Sequence, residues 1–426
     1  MSDFKRIEEF AKVRRGASPR PIDDPKWFGG DIGWVRIVDV TRSKRYLRST
    51  EQYLSQLGEA RSVRVDKGDL IMSICATIGR PVIVDMAACI HDGFVQFYDI
   101  ADANTDYLYY ALQYAEHEFL GYGQHGTQAN LNTTIVSRHR LFVPPLPQQR
   151  KIARILTTVD NLIEKTEALI AKYQAIKQGM MHDLFTRGVD EHGHLRPPYE
   201  EAPELYKQSE LGWIPKEWGV RSLGEVAVVG GGVTLGRDLA GSQVVELPYL
   251  RVANVQDGYL DLSEIKSVSV LKSEVDRYRL EQGDMLMTEG GDFDKLGRGT
   301  VWRGQISPCL HQNHIFRVRP SKEFILPDFL AAVTASSYGK RYFLVSSKQT
   351  TNLATINSTQ LKAFPIPLPN LDEQGRMIAA IASVERQIEA EQRHSNQMKQ
   401  TKTGLMQDLL TGKVRVKVDE AEEVAV

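Results

Sequence analysis

Cysteine is scarce: Cys75, Cys89 and Cys309 are the only three in 426 residues. Three thiols exclude a disulfide framework and a four-thiolate zinc site. Long apolar runs are missing as well. No stretch reaches the ~18 residues that a membrane-spanning helix needs. The opening MSDFKRIEEFAKVRRG has no apolar centre of a secretory signal, so the expected location is cytoplasmic. Charge of one sign is absent, with 53 Lys and Arg against 54 Asp and Glu. No overall basic field advertises nucleic acid, and any such surface must be local.

Catalytic signatures are lacking too. There is no G-x-x-x-x-G-K-[ST], no G-x-S-x-G and no H-E-x-x-H. The cluster Gly230, Gly231, Gly232 lacks the following Lys-Ser/Thr and reads as a turn. Pro197-Pro198-Tyr199 lacks the leading Asn or Asp of an adenine methyltransferase tetrapeptide. Against these absences stand 42% hydrophobic and 25% charged residues. That is enough apolar material for packed cores, and it excludes global disorder. Length over roughly 150 residues gives about two to three domains.

The chain contains itself twice. Gly179-Met-Met-His-Asp-Leu-Phe-Thr-Arg-Gly-Val189 matches Gly404-Leu-Met-Gln-Asp-Leu-Leu-Thr-Gly-Lys-Val414 at an offset of 225. The same offset pairs Gln149 with Gln374, Val159 with Val384 and Ile163 with Ile388. Pro147 pairs with Pro369, and Asn130-Leu131 with Asn352-Leu353, at 222. Cys89-x-His91 pairs with Cys309-x-His311 at 220, and Gly79-Arg80 with Gly297-Arg298 at 218. Gly68-Asp69 pairs with Gly283-Asp284, and Arg36 with Arg251, at 215. A steadily growing offset is the mark of one duplicated unit with small insertions in the second copy.

Each copy has a mixed part and a helical part. In the mixed parts, 1–148 and 218–370, short apolar runs follow Gly-Asp turns as strands do. Examples are Leu70-Ile71-Met72 and Met285-Leu286-Met287. The segments from Asp106 and Asp328 read as helices capped by those Asp residues. The fold class is therefore α+β: two pseudo-symmetric mixed domains separated by two long antiparallel helices resembling a coiled coil. In 149–186 a heptad seam runs Ile152, Ile155, Val159, Leu162, Thr166, Leu169, Tyr173, Ile176, Met180. Some 38 residues at ~1.5 Å rise give about 57 Å. The second helix, 371–412, has the weaker seam Met377, Ala380, Val384, Gln387, Glu391, His394, Met398. Between the copies, the proline-bearing, acid-rich 187–217 reads as an extended linker. The tail is 413–426, acidic from Val418 onward. Antiparallel pairing of the helices would set the two mixed domains at opposite ends of a rod with a pseudo-twofold axis.

The Cys-x-His pairs read as duplicated buried strand positions, since zinc needs all four ligands within ~2.3 Å of one point. His182, His192 and His194 read as solvated. Recognition chemistry remains. Thr41-Arg-Ser-Lys-Arg-Tyr-Leu-Arg48 holds Arg42, Lys44, Arg45 and Arg48 with no acid among them. Such a run suits phosphate contact. The matching stretch from Asn254 is not basic, so the second copy must draw cations from Arg237, Lys272, Arg277, Lys295, Arg298 or Arg303. A polar patch joins Gln124, Gln128 and Asn130 to Lys348, Gln349, Thr350 and Asn352. Amides pair with adenine and cations with guanine. Arg36, Arg251 and Asn254 complete the candidate DNA contacts. Met180, Met181, Leu405 and Met406 are candidate partner contacts.

The order of these features resembles the specificity subunit of type I restriction–modification systems. The residues carrying the likeness are Pro-x-Leu-Pro-x-Gln, the long helix, G-x-M-x-D-L-[FL]-T-x-x-V and Leu211-Gly-Trp-Ile-Pro-Lys-Glu-Trp218. The likeness covers essentially the whole chain. It implies two target recognition domains, each reading one half of a split double-stranded DNA site. It implies helices that act as a ruler, with half-site centres ~34–36 Å apart by analogy with paired readers. It also implies docking of two modification methyltransferase subunits and, through the complex, restriction subunits. S-adenosylmethionine, ATP and magnesium are then cofactors of those partners, and this chain carries no catalytic residue. Two other readings stay open. One is a DNA-modifying enzyme with an unrecognised motif, which duplication of both ~150-residue units disfavours. The other is a coiled-coil scaffold without a DNA role.

Overall fold

The computed structural model describes residues 3–122, 131–236, 239, 243–291, 296–349 and 354–418. The chain forms two compact units. One comprises Met1–Glu167 with Gln392–Val426, the other Ala168–Glu391. Both long helices, Leu146–Arg187 and Leu371–Leu409, are therefore shared. Each unit owns one mixed domain and a segment of each helix.

The mixed domains repeat the same strand order, with one strand fewer in each of the two sheets of the second unit. In the first unit the strand order of the main sheet is Lys12–Arg15, Phe94–Tyr98, Leu70–Ser73, Pro81–Val84, then Tyr46–Leu47. In the second it is Ala227–Gly230, Ile315–Pro320, Met285–Thr288, Gly299–Val301. A second sheet holds Gln52–Leu54, Phe28–Val35, Ala88–Ile90 and Val63–Val65 in one unit. Its counterpart holds Lys266–Leu271, Val244–Leu250 and Leu310–His311. An antiparallel pair, Phe4–Arg6 with Arg140–Phe142, recurs as Gly219–Ser222 with Pro365–Leu368.

The Gly-Asp turns show why the sequence folds this way. Gly68 and Gly283 have φ of +95° and +97°, open to glycine at little cost. The next residue closes the turn: Asp69 accepts from the Asp66 amide and Asp284 from the Glu281 amide, at 2.8 and 2.7 Å. The strands that follow, Leu70–Ser73 and Met285–Thr288, are buried throughout.

Buried glutamines join each domain to its helix. Gln149 accepts from the Asn104 amide and donates to the carbonyls of Asp102 and Pro144. Gln374 accepts from the Leu326 amide and donates to Phe324 and Pro369. Both are fully buried. The match corrects two alignments. Pro144, not Pro147, is the equivalent of Pro369. Asn132 and Asn357 are the N-caps of the short helices Thr133–Arg138 and Ser358–Lys362. Leu131-Asn132 therefore corresponds to Ile356-Asn357 at offset 225, not to a pair at 222. Short dipeptide matches were too brief to resist a three-residue slip.

The helices differ from expectation in phase. Leu162 and Ile176 are exposed, whereas Leu156, Ile163 and Ile170 are buried. The seam runs one residue later because its middle positions are polar. Asp160 binds Lys402 at 2.7 Å in the first unit, and Lys177 binds Glu385 at 2.7 Å in the second. A hydropathy reading follows the neighbouring apolar row instead. The second helix likewise buries Met377, Ile381 and Ser395, while Gln387 and His394 are exposed. Within each unit the two segments run antiparallel, as Asp160–Lys402 and Glu167–Lys399 show in the first.

Residue 160 plus 225 is 385, and 402 minus 225 is 177. The same ion pair thus recurs once per unit with its ends exchanged between the helices. The helix ends insert into the cores. Ile152, Leu156, Met406, Leu409 and Leu410 join Tyr110 and Phe119 in one. Met181, Leu184, Phe185, Met377 and Ile381 join Phe329 and Phe343 in the other. Full burial of each such side chain contributes about 1.5–3 kcal/mol.

Two further expectations change. Asn104 rather than Asp106 caps the helix Thr105–Tyr122, accepting from the Tyr107 amide at 3.0 Å, and Leu326 rather than Asp328 stands at the N-cap of Pro327–Ala335. The segment 187–217 is not an extended linker. Tyr206–Ser209 pairs with Gly212–Pro215 as a hairpin, and Trp213 stacks on Tyr199 with centroids 4.2 Å apart. Arg196 holds the buried Glu373 at 2.5 Å, and Glu373 also accepts from the Val189 amide. The hairpin turns at Glu210-Leu211, away from the prolines at 197, 198, 203 and 215. At the other end, Arg415 pairs with Asp3 at 2.8 Å.

Candidate nucleic-acid interface

The basic run of the first unit lines a cleft of about 550 Å³ facing the first long helix. All four of its cations are spoken for. Arg42 pairs with Glu51 and Arg45 with Asp106. Lys44 pairs with Glu167 at 3.1 Å, and Arg48 with Asp85 at 3.3 Å. Lys399 and then Lys44, hydrogen-bonded to Glu167, hold its carboxyl below the usual range. Arg45 is buried and also donates to Thr157 at 2.5 Å and to the Tyr110 hydroxyl at 3.4 Å. It fastens the domain to the long helix. A phosphate would have to displace carboxylates here, at a cost that rises with burial.

Arg36 and Arg251 occupy matching places at helix starts. The Arg36 amide donates to Asp39 and the Arg251 amide to Asn254, each at 2.8 Å. The Arg36 guanidinium reaches Gln52 at 2.9 Å, and Arg251 pairs with Glu264 at 3.3 Å. Asn254 is buried, and its amide nitrogen donates to the carbonyls of Asp261 and Glu264. Those three bonds satisfy the side chain inside the turn and leave little of it for a base edge.

Gln124, Gln128, Asn130, Arg237, Lys295, Thr350 and Asn352 lie outside the described residues. Lys348 and Gln349 are exposed on a short edge strand beside Ala354–Thr355, and Gly290–Gly291 pairs with the far side of Ala354–Thr355. Arg298 donates to Gln256 at 3.2 Å, and Arg303 pairs with Asp328. Of the proposed partner contacts, Met181 and Met406 are buried in the unit cores, while Met180 and Leu405 pack half-buried at their rims.

The duplicated Cys-x-His pairs sit at strand ends. Cys89 and Cys309 are buried, and burial raises their thiols to about 11 and about 12. Burial likewise lowers His91 and His311 to about 4. Both imidazoles are neutral at pH 7. Gly16 and Gly232 let the backbone pass close by. A Cβ there would lie 2.2 and 2.1 Å from the His91 and His311 carbonyl oxygens. No group of three or more metal-binding side chains occurs among the described residues. None of the helices among them is long and apolar enough to cross a membrane.

Sequence reasoning passed over the polar residues that join domain to helix and helix to helix: Tyr110, Asp160, Lys402, Lys177 and Glu385. The signal was present. Offset 225 pairs Asp160 with Glu385 and Lys177 with Lys402, but repeated charge at a helix seam reads as solvated surface unless its partner is known.

A family model described as "Type I restriction modification DNA specificity domain" matches residues 1–174 and 215–400. The MjaVIII specificity subunit of Methanocaldococcus jannaschii is 30% identical over 325 residues, covering 73% of this chain and 70% of that protein. The EcoBI specificity subunit of Escherichia coli is 24% identical over 278 residues, covering 62% of this chain and 56% of that one. Among solved structures, the S subunit from M. genitalium aligns with a TM-score of 0.54 at 12% identity, covering 96% of this chain and 95% of that one. A structure described in terms of complex assembly and conformational transition of the type I R-M system aligns at 0.53 with 16% identity, covering 95% and 96%. Those structural likenesses bear on the fold.

Proposed function

The chain belongs to the type I restriction–modification DNA specificity family, and from that premise we propose that each unit reads one half of a bipartite DNA target. The observation carrying this reading is the repeat itself. Strand order, buried glutamine and cross-helix ion pair all recur once per unit. A protein with one reader and one catalytic domain has no reason to repeat both. Methylation and cleavage then fall to partner subunits, which bind S-adenosylmethionine, ATP and magnesium. Two modification subunits dock on the helix ends, with Met180 and Leu405 as the accessible apolar contacts.

In this reading phosphate contacts set position and base contacts select sequence. The bases are read by the amide-rich segments that hold Gln124, Gln128, Asn130, Thr350 and Asn352, with Lys348 and Gln349 beside them. The helices fix the spacing. Deleting one heptad from both helices is expected to change the tolerated spacer and leave both half-sites as they were. Selection of bound duplexes from a random library measures this. An altered half-site with an unaltered spacer would reject the ruler.

A further inference from the structure

One guanidinium holds the same position in both units although the sequence repeat does not put it there. The sheet registers define the position. Gln96 pairs with Ile71 across one ladder, and Arg317 pairs with Leu286 across the matching one. Ile71 and Leu286 are repeat equivalents at offset 215, so Gln96 and Arg317 are equivalent too. On the opposite side Gln96 faces Arg14, and Arg317 faces Gly230. The arginine has changed strands between the copies.

Its end nevertheless returns to the same carbonyl. Arg14 Nη2 donates to the Arg64 carbonyl at 3.3 Å. Arg317 Nη1 donates to the Arg279 carbonyl at 3.1 Å and to that of Arg277 at 2.9 Å. Arg64 and Arg279 are equivalent at offset 215. Glycine at 230 makes room, since a Cβ there would lie 3.1 Å from Arg317 Nη2.

Neither guanidinium is neutralised. Arg14 binds Gln96 Oε1 at 2.7 Å and a carbonyl, and Arg317 binds two carbonyls. No carboxylate among the described residues pairs with either. Three arginines nearby do have such partners: Arg64 with Glu59 and Asp66, Arg279 with Asp276, and Arg319 with Asp284 and Glu281. The contrast with the basic run at 42–48, where every cation is paired, is direct. Arg14 keeps Nη1 unspent and Arg317 keeps Nη2, and a planar fork with free donors suits a phosphate oxygen.

Copying a gene copies positions. It does not move a side chain to the facing strand and bring its charge back to one place. We propose that Arg14 and Arg317 are the paired phosphate contacts of the two units, seating each domain on the duplex backbone without reading its sequence. The assignment rests on the DNA reading above.

The test uses the full chain and a fluorescein-labelled duplex of mixed sequence, titrated over a range of salt concentrations. R14A and R317A are each expected to flatten the log–log slope by ~0.9, and the double variant by about 1.8, with an unchanged melting midpoint. R14K and R317K, which keep the charge but lose the fork, are expected to restore most of the slope. An unchanged slope in the double variant overturns the assignment. So do Lys variants as defective as the Ala ones, since the arginines would then only buttress the carbonyl. Wild-type chain with no salt-dependent binding would instead sink the DNA reading, and this assignment with it.

Discussion

The two units share a plan and differ at one joint. In the first, Tyr110 donates to Asp160 at 2.7 Å, Asp160 binds Lys402 and Arg45 reaches Thr157. A buried polar network closes the space between domain and helix. The equivalent of Tyr110 in the second unit is Ala332, by the offset of 222 that matches Asn104 with Leu326 through the two glutamines. There Ala331, Ala332 and Ala335 line a cleft of about 400 Å³ with Ile378, Ile381 and Glu385. Duplication thus preserved what defines the fold, the turns, ladders and ion pair, and left the filling of the joint free to diverge. A joint closed by hydrogen bonds is geometrically specific, whereas one lined by alanines is not.

The largest expected effect breaks the closed joint. Tyr110→Ala empties a large buried side chain and should cost ~3–5 kcal/mol, read as a lower denaturation midpoint. Ala332→Tyr fills a cleft that already exists and should cost less than ~1–3 kcal/mol, the usual range for overpacking. Equal losses would erase the distinction between the joints.

Next come the glutamines, where the units should agree. Gln149→Leu and Gln374→Leu each strand buried carbonyls and an amide, at ~1–3 kcal/mol per orphaned group. Chemical denaturation should give matching losses, and a clear difference would show that the repeat does not extend to this contact. The ion pair sharpens the contrast. Asp160 is 19% exposed and serves Tyr110 as well, while Glu385 is 46% exposed. Asp160→Asn should therefore cost about 1–3 kcal/mol and Glu385→Gln below ~1 kcal/mol.

The last effect appears only on the acid side and should be shared. Burial holds His91 and His311 near 4, below the 6.5 of an unfolded imidazole. The unfolded chain binds more protons in that window, so stability present above pH 6.5 is lost as pH falls toward 4. His311→Gln should flatten this acid limb of a melting-midpoint profile. A limb unchanged by that substitution would put the acid sensitivity elsewhere.

Much of this was legible beforehand, and for physical reasons. The Gly-Asp turns, the buried strands and the long helices carry local signals of backbone and hydropathy, which survive duplication. The seam phase was missed because Asp160 and Lys177 occupy it, and a hydropathy pattern cannot count a paired charge as buried. The hairpin at Tyr206–Ser209 is hidden in the sequence because the prolines around it read as linker while its turn, Glu210-Leu211, carries no turn-forming residue. At the interface, Arg42, Lys44, Arg45 and Arg48 were legible as a cluster, but their carboxylate partners lie far away in sequence. Glu167 and Asp106 become neighbours only on folding. Arg14 and Arg317 carry no shared sequence signal at all, because equivalence across facing strands exists only in the sheet.

The most direct test of two readers in one chain is selection of bound sequences from a random duplex library, with the full chain and its modification subunit. The account predicts two short fixed elements separated by an unread spacer of constant length. A single contiguous element, or enrichment of none, would contradict it.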